Sequence, residues 1–295
     1  MSRSIDRRSF LLAAAAVPVA LAHAAQGAHE HETASATRQF AQLERALGGR
    51  IGVFTFNTAD HSQLRYRADE RFPVCSTFKV LLAAGILERS TRTAGLMQRR
   101  IHYTPHDLVS YSPISEKHVG EGMTVADLCA AAIQYSDNTA ANLLMKLLGG
   151  PASVTAFARS IGDHYFRLDR WETDLNTCIP GDFHDTSTPE AMGRSLERLA
   201  IGEALGPHQR GQMQEWLRGS TTGGTRIRAG VPADWQVGDK TGTGDYGTAN
   251  DLAVLWPPHH APIIVAVYTT QPGKKAKARN EIIAEAARVI VRWNS

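Results

Sequence analysis

The sequence contains little cysteine, and its few cysteines exclude a disulfide framework. Only 3 of the 295 residues are cysteine, namely Cys75, Cys129 and Cys178. One bridge is geometrically possible, but from this odd number we expect three free thiols that are mostly buried. A cysteine nucleophile needs a histidine base, and none is close to Cys75 in sequence. We therefore interpret Cys75 as a packing residue.

The sequence also lacks the spacings that hold metal ions and the charge that attracts nucleic acids. Its 12 histidines include no His-Glu-x-x-His motif and no Cys/His ligand spacing. We therefore predict neither a metal site nor a cofactor. The formal net charge is only +3, and no block of Lys or Arg stands out. This charge pattern argues against a nucleic-acid or membrane-surface partner.

No apolar run is long enough to span a bilayer, but the first residues are typical of an export signal. The charged start contains Arg7 and Arg8, and an Ala-rich apolar run follows it. Small residues ending at Ala24 predict a cleavage site, so residues 1–24 resemble a cleaved twin-arginine signal peptide. No cysteine follows for lipid attachment. We expect residues 25–295 to be periplasmic, without a stable membrane anchor.

Strand patterns occur near both ends of the mature chain, and helical patterns fill its middle. The stretches RIGVFTFN and QLRYR alternate apolar and polar residues around a turn, which predicts a β-hairpin. Three further strand patterns, WQVGDKTGTG, NDLAVLWPP and PIIVAVYTT, lie towards the C-terminus, before a final amphipathic helix. The stretch between them is rich in Ala and Leu at helical spacing.

These patterns predict an α+β fold with two lobes in a single domain. The two ends would pair in a five-stranded antiparallel sheet, covered by the first and last helices. This α/β lobe would comprise about residues 35–75 and 220–295, and an all-helical lobe about residues 76–219. A cleft where two lobes meet is a favoured binding site.

In the stretch FPVCSTFKVLLAAGILERS, a lysine follows a serine by three residues at the start of an apolar helical run. Ser76 and Lys79 would share one face of a helix, close enough to hydrogen-bond. Burial would lower the pKa of Lys79, and a neutral lysine can take the proton of a serine nucleophile. Alone the motif is weak, because a serine at a helix start is also a common N-cap.

Two further motifs are equally ambiguous when each is taken alone. The Ser-Asp-Asn sequence at residues 136–138 opens another apolar helix, where all three residue types are preferred N-caps. The Lys-Thr-Gly sequence at residues 240–242 lies in a predicted strand and could simply belong to a glycine-rich hairpin. Its small residues could instead let a substrate acyl group lie along the strand edge.

Together and in this order, the three motifs resemble those of class A β-lactamases and penicillin-binding proteins. A fourth motif separates these groups, because Glu172, Leu175 and Asn176 lie in a loop that resembles the Ω-loop of class A β-lactamases. Glu172 and Asn176 would there hold the deacylating water, although Glu172 alone could be a surface residue. Arg170 and Asp185 match the ion pair that clamps this loop.

The resemblance implies a role for each catalytic residue. Ser76 would attack the lactam carbonyl, and the backbone N–H groups of Ser76 and Thr243 would form the oxyanion hole. Either Lys79 or Glu172, the latter through a water, would be the base for acylation, and this choice stays open. Ser136 would relay a proton to the departing lactam nitrogen.

The resemblance also implies a set of residues that contact the substrate: Tyr111, Asn138, Arg226, Lys240, Thr241, Gly242 and Thr243. Asn138 would bind the acyl side-chain amide. Lys240, Thr241 and Thr243, helped by Arg226, would bind the substrate carboxylate. Ala249 occupies the other place at which the family puts an arginine, which favours Arg226. Tyr111 would lie at the pocket rim, unless it is a packed loop tyrosine.

The stretches CSTFK and KTGTGDYGTAND look closest to extended-spectrum, cefotaxime-hydrolysing members. This likeness implies hydrolysis of penicillins and cephalosporins, including oxyimino-cephalosporins. Carbapenem-hydrolysing relatives commonly join the cysteine before the nucleophile to one four residues after the strand lysine. That second position is Gly244 here, so this bridge to Cys75 cannot form. We expect weak or no carbapenem turnover.

One residue of the loop departs from the family pattern. Thr173 follows Glu172 where many relatives have proline, so the sequence does not decide whether the peptide bond between them is cis.

Other proteins share part of the motif set. A D-Ala-D-Ala peptidase or a β-lactam sensor would share the first three motifs but should lack the Glu172 loop. A non-catalytic periplasmic protein would have no reason to combine all four. The resemblance implies an enzyme acting as a monomer on small β-lactams.

Overall fold

The structure, a computed structural model, describes residues 30–294 of the chain. The predicted export signal at residues 1–24 lies outside these residues, whereas all four motifs lie within them. No helix in the described part of the chain is long and apolar enough to cross a membrane.

Nine strands in the described residues form one large sheet and two short pairs. In chain order they are β1 (Arg50–Asn57), β2 (Gln63–Tyr66), β3 (Phe72–Pro73), β4 (Arg100–Ile101), β5 (Met123–Thr124), β6 (Thr186–Ser187), β7 (Gln236–Thr243), β8 (Ala249–Trp256) and β9 (Ile263–Thr270). The large sheet has the order β2-β1-β9-β8-β7, and all neighbouring strands are antiparallel. The predicted five-stranded antiparallel sheet, with the two ends of the chain paired, is confirmed.

Eight α-helices surround this sheet within residues 30–294. They are α1 (residues 30–47), α2 (Lys79–Ser90), α3 (Val125–Gln134), α4 (Asn138–Leu148), α5 (Pro151–Ser160), α6 (Pro189–Ala200), α7 (Pro207–Arg218) and α8 (Asn280–Trp293). Short 3-10 helices occupy Cys75–Phe78, Pro105–Asp107, Ser115–His118, Asp174–Asn176 and Ile227–Gly230. The first of these short helices contains Ser76 and the fourth contains Asn176, and both residues line the cavity described below.

The sheet has a hydrophobic layer on each face. Along β1, Val53 joins the layer shared with α1 and α8, whereas the neighbouring Phe54 points into the opposite layer. Such alternation is what a strand between two apolar layers requires. Phe40 of α1 and Ile283 of α8 are fully buried against the first face. The first and last helices therefore cover one face of the sheet, as predicted.

Helix α2 is the buried centre of the helical lobe. Every residue from Lys79 to Leu87 is buried, and α3, α4, α5 and α7 pack around the helix. Each fully buried Leu or Ile contributes roughly 1.5–3 kcal/mol. The segment just before α2, Cys75–Phe78, packs against β7 and β8. The packing of α2 therefore fixes the position of its first turn beside the open edge of the sheet.

Candidate active site

Ser76 lies in the short 3-10 helix Cys75–Phe78 and not in α2 itself. The sequence pattern placed Ser76 at the start of the α-helix, and this placement is corrected. The α-helix begins at Lys79, and Ser76 lies in a tight turn before it that packs against β7. No side chain caps either helix, and Ser76 Oγ instead donates to Glu172 Oε1 at 3.1 Å. A capping role therefore does not explain Ser76.

Lys79 is fully buried and is held by three acceptors. Its Nζ lies 3.0 Å from Glu172 Oε1, 2.7 Å from Asn138 Oδ1 and 2.8 Å from the Ser136 carbonyl oxygen. In the described residues Lys79 and Ser76 do not hydrogen-bond directly, but they share Glu172 Oε1. Burial lowers the pKa of Lys79 below its usual value, although the Glu172 carboxylate opposes this shift. At a given pH, the neutral amine of Lys79 is therefore more populated than that of an exposed lysine.

The Glu172 loop places its carboxylate beneath the serine. Glu172 Oε2 accepts from Asn176 Nδ2 at 2.5 Å, across the 3-10 turn Asp174–Asn176. The peptide bond between Glu172 and Thr173 is cis, which answers the question that the sequence left open. Only 4% of Glu172 is exposed, so it is not a surface glutamate.

Arg170 and Asp185 close the base of this loop. Arg170 Nε donates to Asp185 Oδ2 at 2.5 Å. The other carboxylate oxygen of Asp185 accepts from the backbone N–H groups of Asp169 and Arg170 at 2.7 and 3.0 Å. Because Asp185 is fully buried and bonds both side chain and backbone, it fixes the start and end of the loop together.

Ser136 and Lys240 approach the serine from the other side. Lys240 Nζ donates to Ser136 Oγ at 2.9 Å and to the Thr241 carbonyl oxygen at 2.8 Å. Burial lowers the pKa of Lys240 well below its usual value, and the nearby Lys79 adds to this shift. Ser136 has a positive φ of 58°, which sets it apart from the helix that follows.

Asp137 is the residue that caps α4, and this leaves its two neighbours for the site. Asp137 Oδ1 accepts from the Ala140 N–H at 2.8 Å, and its Oδ2 accepts from the backbone of the loop before α3. Asn138 donates from Nδ2 to the Ser110 carbonyl oxygen at 2.9 Å. These bonds also position Tyr111, whose carbonyl accepts from the Asn138 N–H at 3.0 Å.

Strand β7 forms the open edge of the sheet next to Ser76. A Cβ on Gly242 would lie 3.3 Å from the Ser76 backbone nitrogen, so the glycine allows the strand to pass this close. Arg226 lies behind the strand, donating to the Gly242 carbonyl oxygen at 2.8 Å and to Thr243 Oγ1 at 2.6 Å. Burial lowers the pKa of Arg226 from its very high usual value. Thr241 Oγ1 shares a 2.6 Å hydrogen bond with Thr222 Oγ1.

A cavity of about 520 Å³ opens directly onto these groups. It is lined by Ser76, Tyr111, Ser136, Asn138, Asn176, Thr221, Thr222, Arg226, Thr241, Gly242 and Thr243. Tyr111 is 60% exposed at its rim, so the alternative of a packed loop tyrosine is wrong. Lys79, Glu172 and Lys240 lie just beneath the lining. The arrangement offers a hydroxyl, two basic groups and a carboxylate around one concave space.

Comparison with known proteins shows which family the chain resembles along its length. The sequence profile described as the Beta-lactamase enzyme family matches residues 35–293. The chain belongs to this family. It is 54% identical over 291 residues to Beta-lactamase OXY-1 of Klebsiella oxytoca, covering 98% of this chain and 99% of the relative. It is also 59% identical over 251 residues to Carbapenem-hydrolyzing beta-lactamase KPC of Klebsiella oxytoca, covering 85% and 86%.

A solved relative agrees with the family assignment. The crystal structure of a β-lactamase from Desulfarculus baarsii superposes with a TM-score of 0.88 at 57% identity, covering 89% of this chain and 98% of that chain. The resemblance to β-lactamases, the α+β fold class and the assignment as a hydrolase of β-lactams are thereby confirmed.

The sequence motifs did not single out Thr221 and Thr222 of the cavity lining, nor Asn142, which contacts the Glu172 backbone. Asn142 of α4 accepts from the Glu172 N–H at 3.0 Å through Oδ1, and donates from Nδ2 to the Glu172 carbonyl oxygen at 2.8 Å. It therefore holds both backbone groups of the catalytic candidate. A signal was available, because Asn142 lies one turn after Asn138 in an otherwise apolar run.

Proposed function

We propose that the chain hydrolyses β-lactams through an acyl-enzyme on Ser76. The observation that carries the proposal is the position of Glu172 Oε1, which lies 3.1 Å from Ser76 Oγ and 3.0 Å from Lys79 Nζ. One carboxylate oxygen thus links a nucleophile to a buried amine beside the substrate cavity. Such a network can accept the proton of the serine hydroxyl as Ser76 Oγ bonds to the lactam carbonyl carbon.

Acylation would proceed with either of two bases. Lys79, with its lowered pKa, could accept the proton of Ser76, or Glu172 could accept it through a water. Ser136 would then pass a proton to the departing lactam nitrogen, supported by the 2.9 Å contact from Lys240 Nζ. The backbone N–H groups of Ser76 and Thr243 would stabilise the oxyanion, since β7 runs beside the serine backbone.

Deacylation would use Glu172 and Asn176. Asn176 Nδ2 already donates to Glu172 Oε2, whereas the buried Oδ1 of Asn176 has no hydrogen-bond partner among residues 30–294. A buried polar atom of this kind favours a water, and a water there would lie beside both side chains. Glu172 would then remove a proton from that water as it attacks the ester carbonyl.

The substrate carboxylate would be bound along β7. Arg226 donates to Thr243 Oγ1, which leaves the Thr243 hydroxyl proton free to point towards an anion. Lys240 and Arg226 together supply positive charge next to Thr241 and Gly242. Asn138 would bind the acyl side-chain amide from the opposite wall, below Tyr111.

The substrate range would include penicillins, cephalosporins and oxyimino-cephalosporins such as cefotaxime. We keep weak carbapenem turnover as the prediction, because Gly244 excludes the bridge from that position to Cys75. A relative named as carbapenem-hydrolysing is 59% identical over 251 residues, so turnover of imipenem is the measurement that tests this limit.

The export signal predicted at residues 1–24 determines the cellular location that we propose. Removal of residues 1–24 would leave one catalytic domain, residues 25–295, in the periplasm after twin-arginine export. We propose that it acts there as a monomer without a stable membrane anchor. An α/β lobe of about residues 35–75 and 220–295 and a helical lobe of about residues 76–219 would meet at the cavity.

The decisive contrast is between turnover and lasting acylation. We expect the purified chain to open many equivalents of benzylpenicillin and cefotaxime, followed by absorbance. The Ser76→Ala variant should lose this activity, and Ser90→Ala, at the far end of α2, should keep it. A single equivalent opened by the unaltered chain, or cleavage of a D-Ala-D-Ala peptide instead, would indicate a sensor or a peptidase.

A further inference from the structure

Two of the three cysteines meet directly beside the site, although 103 positions separate them in the sequence. The sulfur atoms of Cys75 and Cys178 lie 3.4 Å apart. Cys75 is the residue before Ser76, and Cys178 follows Asn176 by two residues. Cys75 is fully buried and Cys178 is 4% exposed. The pair therefore joins the nucleophile segment to the loop that carries Glu172.

Gly244 makes room for both thiols. A Cβ at that position would lie 2.5 Å from Cys178 Sγ and 3.0 Å from Cys75 Sγ. The space next to Cys75 is thus filled from the loop by Cys178 and not from the strand by residue 244. A backbone bond from the Asp245 N–H to the Asn176 carbonyl oxygen, 2.9 Å long, keeps the loop against this turn.

The two thiols differ in chemistry and in access. The hydrogen bond with Cys75 lowers the pKa of Cys178, and the same bond together with burial raises the pKa of Cys75 well above its usual value. Cys178 also lines a cavity of about 570 Å³ that shares no lining residue with the substrate cavity. Pro73, Ile179 and Phe183 contribute to its wall. A reagent can therefore reach Cys178 without passing Ser76.

We propose that Cys75 and Cys178 form a reversible disulfide that ties the Glu172 loop to the nucleophile segment. The Cys178 thiolate would attack one sulfur of an oxidising disulfide, such as oxidised glutathione, and release one thiol. Cys75 would then lose its proton and attack Cys178 Sγ, which breaks the mixed disulfide and releases the second thiol. Two protein thiols and one disulfide thus give one protein disulfide and two thiols.

The geometry requires only a small movement. The sulfurs must approach from 3.4 Å to about 2.05 Å, within the reach of side-chain rotation and a slight loop shift. The resulting covalent loop would enclose α2, α3, α4 and α5, and closing a long loop restricts the unfolded chain. The formation of this bond does not depend on the catalytic roles proposed for the neighbouring residues.

The first test counts thiols after oxidation. The purified chain is incubated with oxidised glutathione, denatured without reductant, alkylated with N-ethylmaleimide and weighed by intact mass spectrometry. We expect one maleimide on the unaltered chain, at Cys129, and three after reduction with dithiothreitol. Peptide mapping should find Cys75 joined to Cys178. Three maleimides without reduction, or a glutathione adduct that stays on Cys178, would overturn the proposal.

Variants separate the bond from general oxidation. Cys129→Ser, at a buried thiol in α3, should still form the cross-link and then accept no maleimide. Cys178→Ser should leave Cys75 as a free thiol, which N-ethylmaleimide alkylates after denaturation without any reductant. Oxidation should raise the melting temperature of the unaltered chain and of Cys129→Ser by about 5 °C or more, but not that of Cys178→Ser. An equal shift in all three, or a cross-link without any shift, would contradict a tether.

Discussion

Glu172 Oε1 lies 3.0 Å from Lys79 Nζ, and both side chains are fully buried. An isolated buried charge is costly, so each group depends on the other and on further hydrogen bonds. Lys79 also donates hydrogen bonds to Asn138 and to the Ser136 carbonyl oxygen. Glu172 also accepts hydrogen bonds from Ser76 and Asn176. The ion pair is therefore one part of a network that includes the nucleophile. Perturbing its supports should affect catalysis selectively.

Asn142→Ala tests the support that the motifs missed. The change removes two hydrogen bonds to the Glu172 backbone, so the carboxylate should lose its fixed position relative to Ser76. We expect deacylation to slow by about tenfold or more, and the free energy of unfolding to fall by about 1–3 kcal/mol. After rapid mixing with cefotaxime, the fraction of the chain present as acyl-enzyme should rise and stay high during turnover.

The matched control for this change is Asn57→Ala, at the end of β1 and outside the site. It should leave the acyl-enzyme fraction as in the unaltered chain. If acylation and deacylation slow equally in Asn142→Ala, Asn142 supports the fold in general and not the position of Glu172.

Arg226→Ala tests recognition of the substrate carboxylate. Losing a charge-assisted contact should lower kcat/KM for benzylpenicillin by about 10- to 100-fold. The methyl ester of the same penicillin lacks the anion, so the variant should differ little from the unaltered chain on that substrate. Equal loss on acid and ester would mean that Arg226 acts only by holding the Gly242 carbonyl and its neighbours.

Asp251 should make stability depend on pH. Its carboxyl is fully buried in β8, and burial, reinforced by Asp239, raises its pKa from 3.8 to about 8. Between these two pH values the folded state retains a proton that the unfolded state has released. The Asp251 contribution to the free energy of unfolding is thus complete below about pH 4 and declines as the pH rises towards 8. The decline is at most about 1.4 kcal/mol per pH unit.

Melting temperatures at pH 5 and pH 8 check this dependence. Asp251→Asn should lose less stability between the two pH values than the unaltered chain does. The exposed Asp234→Asn should behave like the unaltered chain. Parallel pH profiles for all three proteins would show that Asp251 does not titrate in this range.

Imipenem tests the predicted limit of the substrate range. The unaltered chain should form an acyl-enzyme that persists while cefotaxime is turned over many times under the same conditions. Intact mass spectrometry at successive times would follow the adduct on Ser76. Rapid return to the free mass with continued loss of imipenem would show that carbapenem turnover does not require a cysteine at position 244.

The sequence patterns predicted most of the fold because the strands are short apolar runs between turn signals, and because α2 is buried from Lys79 to Leu87. The hairpin and the three strands near the C-terminus each have a local sequence signal. Their apolar side chains become buried when these strands pair in one sheet. The catalytic candidates were recognisable because their motifs are short and ordered. The start of the α-helix was placed at Ser76 and not at Lys79, because a 3-10 turn frequently precedes an α-helix as part of the same helical run.

Contacts between distant segments could not be predicted in the same way. The pairing of Cys75 with Cys178 depends on the path of the loop over Gly244, for which neither cysteine carries a local signal. The hold of Asn142 on Glu172 likewise arises only when α4 and the loop pack together. The sequence offered capping as one role for residues 136–138, and the structure assigns it to Asp137 alone.

The central claim is that Ser76 is acylated and that Glu172 releases the acyl group. The most direct test is intact mass spectrometry of Glu172→Ala during incubation with benzylpenicillin, with the exposed Glu203→Ala as control. We predict that Glu172→Ala accumulates one penicilloyl group, which peptide mapping places on Ser76, while Glu203→Ala turns over without a lasting adduct. Full turnover by Glu172→Ala, or an adduct on another residue, would contradict the account.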